Sequence, residues 1–238
     1  MLKYDLHCHS TASDGILTPT EVVLRAHEKG VNVLALTDHD TVAGVAEARK
    51  QAESLGMRLI NGVEISTLWE NRSIHIVGLG FDISHEKMTA LLAEQAKLRE
   101  IRAQEIGAKL EKIGVENAYA EAKKLAGNGE VTRAHYARHL VQIGKVSNDG
   151  QAFKRYLGQG KSAYVKPQWA DIPTTIDIIH QAGGAAVLAH PLRYTMTMKW
   201  VRKLAENFKS WGGDAMEISG CGQRPDQFQL LVKLAEEH

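Results

Sequence analysis

The feature of this chain that most restricts its fold is an alternation of short apolar runs with amphipathic stretches, interrupted once. Residues 4–9 alternate as a strand does, with Tyr4, Leu6 and Cys8 on one side and His7 and His9 on the other. Thr18-Pro19-Thr20-Glu21 then opens a helix: Thr18 can cap, Pro19 suits the first turn, and Glu21 completes a capping box. Gly30 is a natural stop for that helix. A buried strand is predicted over 31–36, a helix over about 42–55 ending at Gly56, and strands over 59–63 and 74–79. The pattern resumes with a helix over 174–182, a strand over 185–189, a helix over about 197–209, a strand over 214–218 and a helix from about 226. Strands alternating with helices predict parallel β/α units. The 238 residues are ordinary for one α/β barrel and can bury a large core without staples.

The interruption runs from about Ser84 to Val165, where the periodicity is helical and almost no strand signal appears. Charge sorts with it. Residues 97–166 carry 14 Lys/Arg and 7 Asp/Glu, whereas the rest carries 15 and 21, so a net charge of +1 conceals two opposed halves. We therefore expect a barrel formed by 1–83 and 167–238 and a basic helical insertion over 84–166. The excess of positive charge has two readings: a solvated helical surface, or a cap that attracts phosphate groups. Tyr119, Tyr136, Phe153, Tyr156 and Tyr164 look like core of the insertion, which leaves it without the aromatic interleaving of a single-strand platform. The last helix, with its stripe of Leu230, Leu231, Leu234 and Ala235, reaches His238 without a cap. A β/α architecture normally continues to another strand, so further C-terminal sequence is expected.

Two cysteines, Cys8 and Cys221, argue against a disulfide framework and fit a reducing compartment. The N-terminus has no apolar signal core, and no apolar run approaches the roughly 18 residues of a membrane helix. A cytoplasmic protein with no membrane partner and no obligate protein partner is the expectation.

Histidines and carboxylates recur at strand ends. On a strand, residues i and i+2 point the same way, so His7 and His9 can reach one ion while Cys8 faces the core. Thr37-Asp38-His39-Asp40 follows the strand at 31–36, Glu64 follows the one at 59–63, His75 lies on the strand at 74–79, His190 follows 185–189, and Asp14 sits in the loop after the first strand. In parallel barrels the C-terminal face of the strands hosts the chemistry. Each residue alone has a bland alternative, a hydrogen-bonded core histidine or a turn-forming Asp. Taken together they favour a metal cluster, because buried polar groups are expensive unless they serve each other. A His/carboxylate set without thiolate suits manganese, iron or zinc. His27, His85 and His180 fall on helix surfaces or ends and are set aside.

Ordered along the chain, Asp5-Leu6-His7-Cys8-His9-Ser10 with Asp14-Gly15, Ala35-Leu36-Thr37-Asp38-His39-Asp40, Gly62-Val63-Glu64-Ile65-Ser66, His75-Ile76-Val77-Gly78 and Ala189-His190-Pro191 resemble the PHP (polymerase and histidinol phosphatase) superfamily. Leu98-Arg99-Glu100-Ile101-Arg102 and Thr132-Arg133-Ala134-His135 are similar to the helical insertion of its bacterial nucleoside 3′,5′-bisphosphate phosphatase and 5′-to-3′ exoribonuclease subgroup.

That resemblance implies a distorted (β/α)7 barrel with a helical insertion domain and a site for three divalent ions, manganese being the first choice. His7, His9 and Glu64 would hold one, Glu64 with His75 and His190 a second, and Asp14 with His39 a third. The family's Asp-x-His motif near the C-terminus is absent after residue 190, which leaves the first and third ions one ligand short. The implied reaction is attack of a metal-activated hydroxide on phosphorus, with Arg99, Arg102 and Arg133 holding a phosphate of a nucleotide or short RNA substrate. His190 and Asp38 are candidates for proton transfer. From the sequence alone each arginine can equally be a surface salt bridge, Arg99 with Glu94 or Arg102 with Glu105. Three rival functions stay open: a histidinol-phosphate-type phosphatase, a C–N hydrolase of the His-x-His barrel kind, and a non-catalytic module.

Overall fold

The computed structural model describes residues 2–220 and 222–238, so Cys221 lies outside the described residues. The chain runs β1 (Tyr4–Cys8), α1 (Pro19–Glu28), β2 (Val33–Leu36), α2 (Val45–Ser54), β3 (Arg58–Trp69) and β4 (Arg72–Leu79). Four helices follow, α3 (Glu86–Glu111), α4 (Ala118–Ala126), α5 (Arg133–Gln142) and the short α6 (Asp149–Ala152), which continues into a π-helical turn at Phe153–Leu157. The chain then returns through β5 (Ala170–Asp171), α7 (Ile172–Gln181), β6 (Ala185–Leu188), α8 (Met198–Ser210), β7 (Ala215–Met216) and α9 (Pro225–Glu237). The start signal at Thr18 acts as anticipated: its side chain accepts from Glu21 N, and Glu21 reaches back to the Thr18 backbone.

One seven-stranded sheet runs in the order β1-β2-β3-β4-β6-β7, with β5 paired to β3. Its first three strands are parallel, as expected. The expectation of parallel strands throughout needs correction at β4, which is antiparallel to both β3 and β6. The reason is local. Glu70 and Asn71 both adopt left-handed conformations, φ 49° and 60°, giving a two-residue hairpin turn whose twist suits antiparallel strands. The hairpin also lengthens β3. Instead of ending at Val63 the strand continues to Trp69, so Glu64 lies within it rather than after it.

Val63, Ile65, Trp69, Ile74 and Ile76 of this hairpin pack against Ile172, Ile176 and Ile179 of α7 and Leu204 and Phe208 of α8. Complete burial of each such side chain contributes about 1.5–3 kcal/mol. A second cluster, with Val23, Leu34, Leu36, Ala48 and Ala52, joins β2 to α1 and α2. Helices α3 to α6 enclose an apolar cluster of their own, centred on Ile106, Leu110, Tyr136, Leu140 and Leu157. No helix among the described residues is long and apolar enough to cross a membrane.

Candidate metal centre

The segments that carry the candidate residues are tied to one another before any side chain is considered. Asp40 N donates to Glu64 O at 3.0 Å, and Glu64 N donates to Asp38 O at 3.1 Å, so the backbone brackets His39 against Glu64. Asp40 holds a left-handed φ of 51° in this bracket. The Asp38 carboxylate accepts from Ser10 N (2.7 Å), Ser10 Oγ (2.7 Å) and Ser13 Oγ (2.6 Å). It is thus engaged in holding the loop after β1, which corrects the notion of Asp38 as a proton-transfer group. The same loop folds back so tightly at Gly15 that a Cβ there would lie 2.5 Å from the His9 carbonyl oxygen. This fold-back brings Asp14 toward the histidines.

Five imidazoles converge on one buried carboxylate. Glu64 Oε2 lies 3.2 Å from His7 Nε2, 3.1 Å from His9 Nε2 and 3.1 Å from His39 Nδ1. Glu64 Oε1 lies 2.8 Å from His75 Nδ1 and 2.7 Å from His190 Nε2. Asp14 flanks the group, 3.5 Å from His9 Nδ1 and 3.9 Å from His39 Nε2. All seven residues singled out from the sequence as possible ligands therefore meet at one point. Among the described residues, His7–Glu64–His190 and His9–His39–Glu64 each bring their ligand atoms within 4.8 Å of one another. His7 and His9, paired by the family resemblance, also meet here: their Nε2 atoms lie 3.2 Å apart and both face Glu64 Oε2.

An eighth residue, Glu217, was not anticipated. It follows β7 directly, and its Oε1 lies 2.5 Å from His7 Nδ1 while its Oε2 accepts from His190 N at 2.6 Å. The signal was present, an acid at the end of a strand, as at Glu64. Tyr194 also supports the centre: its hydroxyl accepts from His75 N at 2.8 Å and donates to Ala189 O at 3.0 Å.

The electrostatics suit a cation. Burial disfavours the charged form of His7, but Glu217 and Glu64 outweigh it and push His7 up to about 10. His39 goes the other way. Burial, reinforced by His9, His75 and Arg99, holds it well below the usual imidazole range against the pull of Glu64, so its ring is neutral. Burial opposes ionisation of Glu64, yet the surrounding imidazoles, led by His39 and His75, keep it well below the usual carboxylate range. His39 Nδ1 and His190 Nδ1 are buried without a hydrogen-bond partner. The 3.1 Å separation of His39 Nδ1 from Glu64 is short, but the atoms are not aligned as a hydrogen bond. Two carboxylate oxygens cannot accept from five rings at once. Converging lone pairs of this kind fit divalent ions held by nitrogen and oxygen.

The three arginines differ from one another. Arg99 is buried and spends the edge of its guanidinium on the barrel, donating from Nε to Asp40 Oδ2 (2.6 Å) and from a terminal nitrogen to Ser66 Oγ (2.8 Å). Gln95 joins the same network, donating to Asp40 Oδ1 at 3.1 Å and to Ser66 O at 2.6 Å. Arg102 donates to Val165 O (3.1 Å) and lies 5.5 Å from the Trp169 ring, while Arg133 lies 5.3 Å from the Phe153 ring. Neither has a carboxylate within ion-pair distance among the described residues. Burial together with the charges of Arg133 and Arg99 brings Arg102 down to about 9, and burial lowers Arg133 as well. The surface pairs Arg99–Glu94 and Arg102–Glu105 do not form; Glu94 pairs with Lys97 at 3.4 Å.

Comparison with known proteins agrees with this geometry. A family model described as PHP domain matches residues 5–101. The chain is 70% identical to a 5′-3′ exoribonuclease of Haemophilus influenzae, across 99% of this chain and 85% of that protein. It is 40% identical to a 3′,5′-nucleoside bisphosphate phosphatase of Chromobacterium violaceum, across 100% of this chain and 84% of that one. A solved structure from Chromobacterium violaceum, described as an amidohydrolase with bound sulfate and no metal, superposes with a TM-score of 0.95 at 40% identity, covering 99% of this chain and 84% of that chain. With the histidine and carboxylate cluster assembled on this sheet and relatives matched along nearly its whole length, the chain belongs to the PHP domain family.

Proposed function

We propose that this protein is a metal-dependent phosphoesterase that releases phosphate from nucleoside 3′,5′-bisphosphates and trims short RNA from its 5′ end. The observation that carries the reading is the convergence of five imidazoles on the buried Glu64 carboxylate, with two ring nitrogens left unpartnered. His7, His9, Asp14, His39, Glu64, His75 and His190 would hold two or three divalent ions; a His/carboxylate set without thiolate suits manganese, iron or zinc, and the family resemblance puts manganese first. When bound, such ions lower the pKa of water and offset charge on phosphoryl oxygens.

The protein's own residues supply position and charge. Glu217 fixes the ring of His7 and the backbone of His190, so both imidazoles face Glu64. Arg102 and Arg133, half-buried and without a carboxylate in ion-pair range among the described residues, would bind a second substrate phosphate, the one that is not cleaved. Arg99 would act differently from its partners, holding the helical segment 84–166 against the barrel as a cap. A bisphosphate or a 5′-phosphorylated RNA end has the two anionic groups this arrangement calls for, and histidinol phosphate has only one. The names of the matched relatives support the same choice.

The test is phosphate release from a nucleoside 3′,5′-bisphosphate with added manganese. We expect turnover that is lost in His39→Ala and that shows a raised KM in Arg102→Ala/Arg133→Ala. Turnover indifferent to the arginines would point to a general phosphatase. No turnover with any divalent ion would overturn the proposal.

A further inference from the structure

The cations of the helical segment have few carboxylate partners. Of the 14 Lys/Arg of residues 97–166, only Lys97, Arg99 and Lys124 sit within ion-pair distance of a carboxylate among the described residues. Those without a carboxylate include a group that the chain brings near one another. Arg133 lies over Phe153, the first residue of the π-helical turn. The next two residues, Lys154 and Arg155, join Tyr156, Lys161 and Gln151 in lining an open hollow of about 550 Å³ that no acidic side chain enters among the described residues. The far side of the hollow returns to the same arginines: Tyr164 N donates to Lys161 O at 3.0 Å, and the following residue, Val165, accepts from Arg102 at 3.1 Å. Arg155 also donates to Lys145 O at 3.2 Å, which ties the π-helical turn to the segment after α5.

Concentrating like charge in this way costs stability unless an anion offsets it. A mononucleotide bisphosphate does not account for the hollow, because its second phosphate is already served by Arg102 and Arg133. A chain of phosphates would continue past Phe153 and Tyr164 onto Lys154, Arg155 and Lys161. A π-turn at this position also fits a binding surface, since such turns are frequent at functional sites. Tyr156 packs half-buried against the helical core cluster, as expected, and its ring also lies 5.3 Å from the Arg155 guanidinium at the hollow.

We propose that this hollow binds the sugar-phosphate backbone of single-stranded RNA, downstream of a 5′ end that lies at the Glu64 centre. The inference rests on the phosphoesterase reading for the direction of the strand, and it adds a binding site that a mononucleotide does not touch.

The experiment measures fluorescence anisotropy of 5′-phosphorylated, phosphorothioate-linked RNA on the manganese-supplied protein, so that binding is read without cleavage. A dinucleotide and a decamer are compared on the wild type and on Lys154→Gln/Arg155→Gln/Lys161→Gln. We expect the decamer to bind wild type about tenfold more tightly or better. Loss of three phosphate contacts, at about 0.7 each for a single strand, should lower the slope of log affinity against log salt by about 2 in the variant. Dinucleotide binding and bisphosphate hydrolysis should be unchanged, which also shows that the variant is folded. A wild type that does not distinguish decamer from dinucleotide, or a variant that retains decamer affinity and slope, overturns the proposal. Decamer binding with the expected salt response but no bisphosphate hydrolysis and no release of nucleotides from unmodified RNA would support this site while removing the phosphoesterase reading.

Discussion

His7 Nδ1 lies 2.5 Å from Oε1 of Glu217, and this contact joins the first strand of the sheet to the last. Strands β1 and β7 exchange no backbone hydrogen bonds among the described residues, so the sheet curls until its two ends meet through side chains. The other oxygen of Glu217 holds the backbone of His190, and one carboxylate therefore orients ligand candidates from β1 and from the end of β6. Groups that orient metal-binding histidines typically contribute about 10–100-fold in metal affinity or activity. Glu217→Ala is expected to lose manganese and turnover in that range, measured as metal content after dialysis and as kcat. Unchanged metal content would show that Glu217 only closes the sheet.

The ion pair Asp40–Arg99 predicts a stability effect in place of a simple loss of substrate binding. Both side chains are buried, and Asp40 also accepts from Ser66 N and Gln95 Nε2. Removing one partner leaves a buried charge uncompensated, at a cost of about 3–5 kcal/mol. Urea denaturation of Arg99→Ala should show a loss of that order. Asp40→Asn/Arg99→Met should be less destabilised than either single change, because no lone charge remains.

Arg102 and Arg133 predict the opposite trade. They repel each other in a half-buried setting, with burial and neighbouring arginines bringing Arg102 down to about 9. Arg102→Met should raise the Tm of the ligand-free protein, by about 2–4 °C for each kcal/mol relieved in a chain of this size. The same change should raise KM for a bisphosphate. Added phosphate should raise the Tm of the wild type more than that of the variant, as followed by differential scanning fluorimetry.

The pH dependence of the metal-free protein follows from His7. Its folded value, up to about 10, lies above the ordinary 6.5, so the folded state binds the extra proton between those limits. The stabilisation from His7 is complete below about pH 6.5 and disappears as pH rises through about 10, with a slope of at most about 1.4 kcal/mol per pH unit. Chemical denaturation of chelator-treated protein at several pH values should show this decline, and His7→Gln should flatten it.

Much of the centre was legible because its residues stand at positions a local pattern can find. His7 and His9 share a side of β1 through the two-residue period of a strand, and Asp38 to Asp40, Glu64 and His190 lie next to apolar runs that could only be buried strands. Less legible was anything that depended on a partner far along the chain. Arg99 resembled Arg102 in sequence, three residues away on one helix, yet one is spent on Asp40 and the other has no carboxylate. Glu217 looked like any strand-end acid, because its meaning comes from His7, 210 residues earlier.

By itself the sequence determined where strands and helices lie, that histidines and carboxylates gather at strand ends, and that positive charge concentrates between residues 97 and 166. These follow from periodicity, capping and composition, which act over a few residues. Only the tertiary structure decided that β4 reverses direction, that Glu64 stands inside a strand beneath five imidazoles, and that Arg99 is buried in an ion pair. Those outcomes depend on which distant surfaces meet, and the energy of a buried charge is set by the neighbours that folding brings to it.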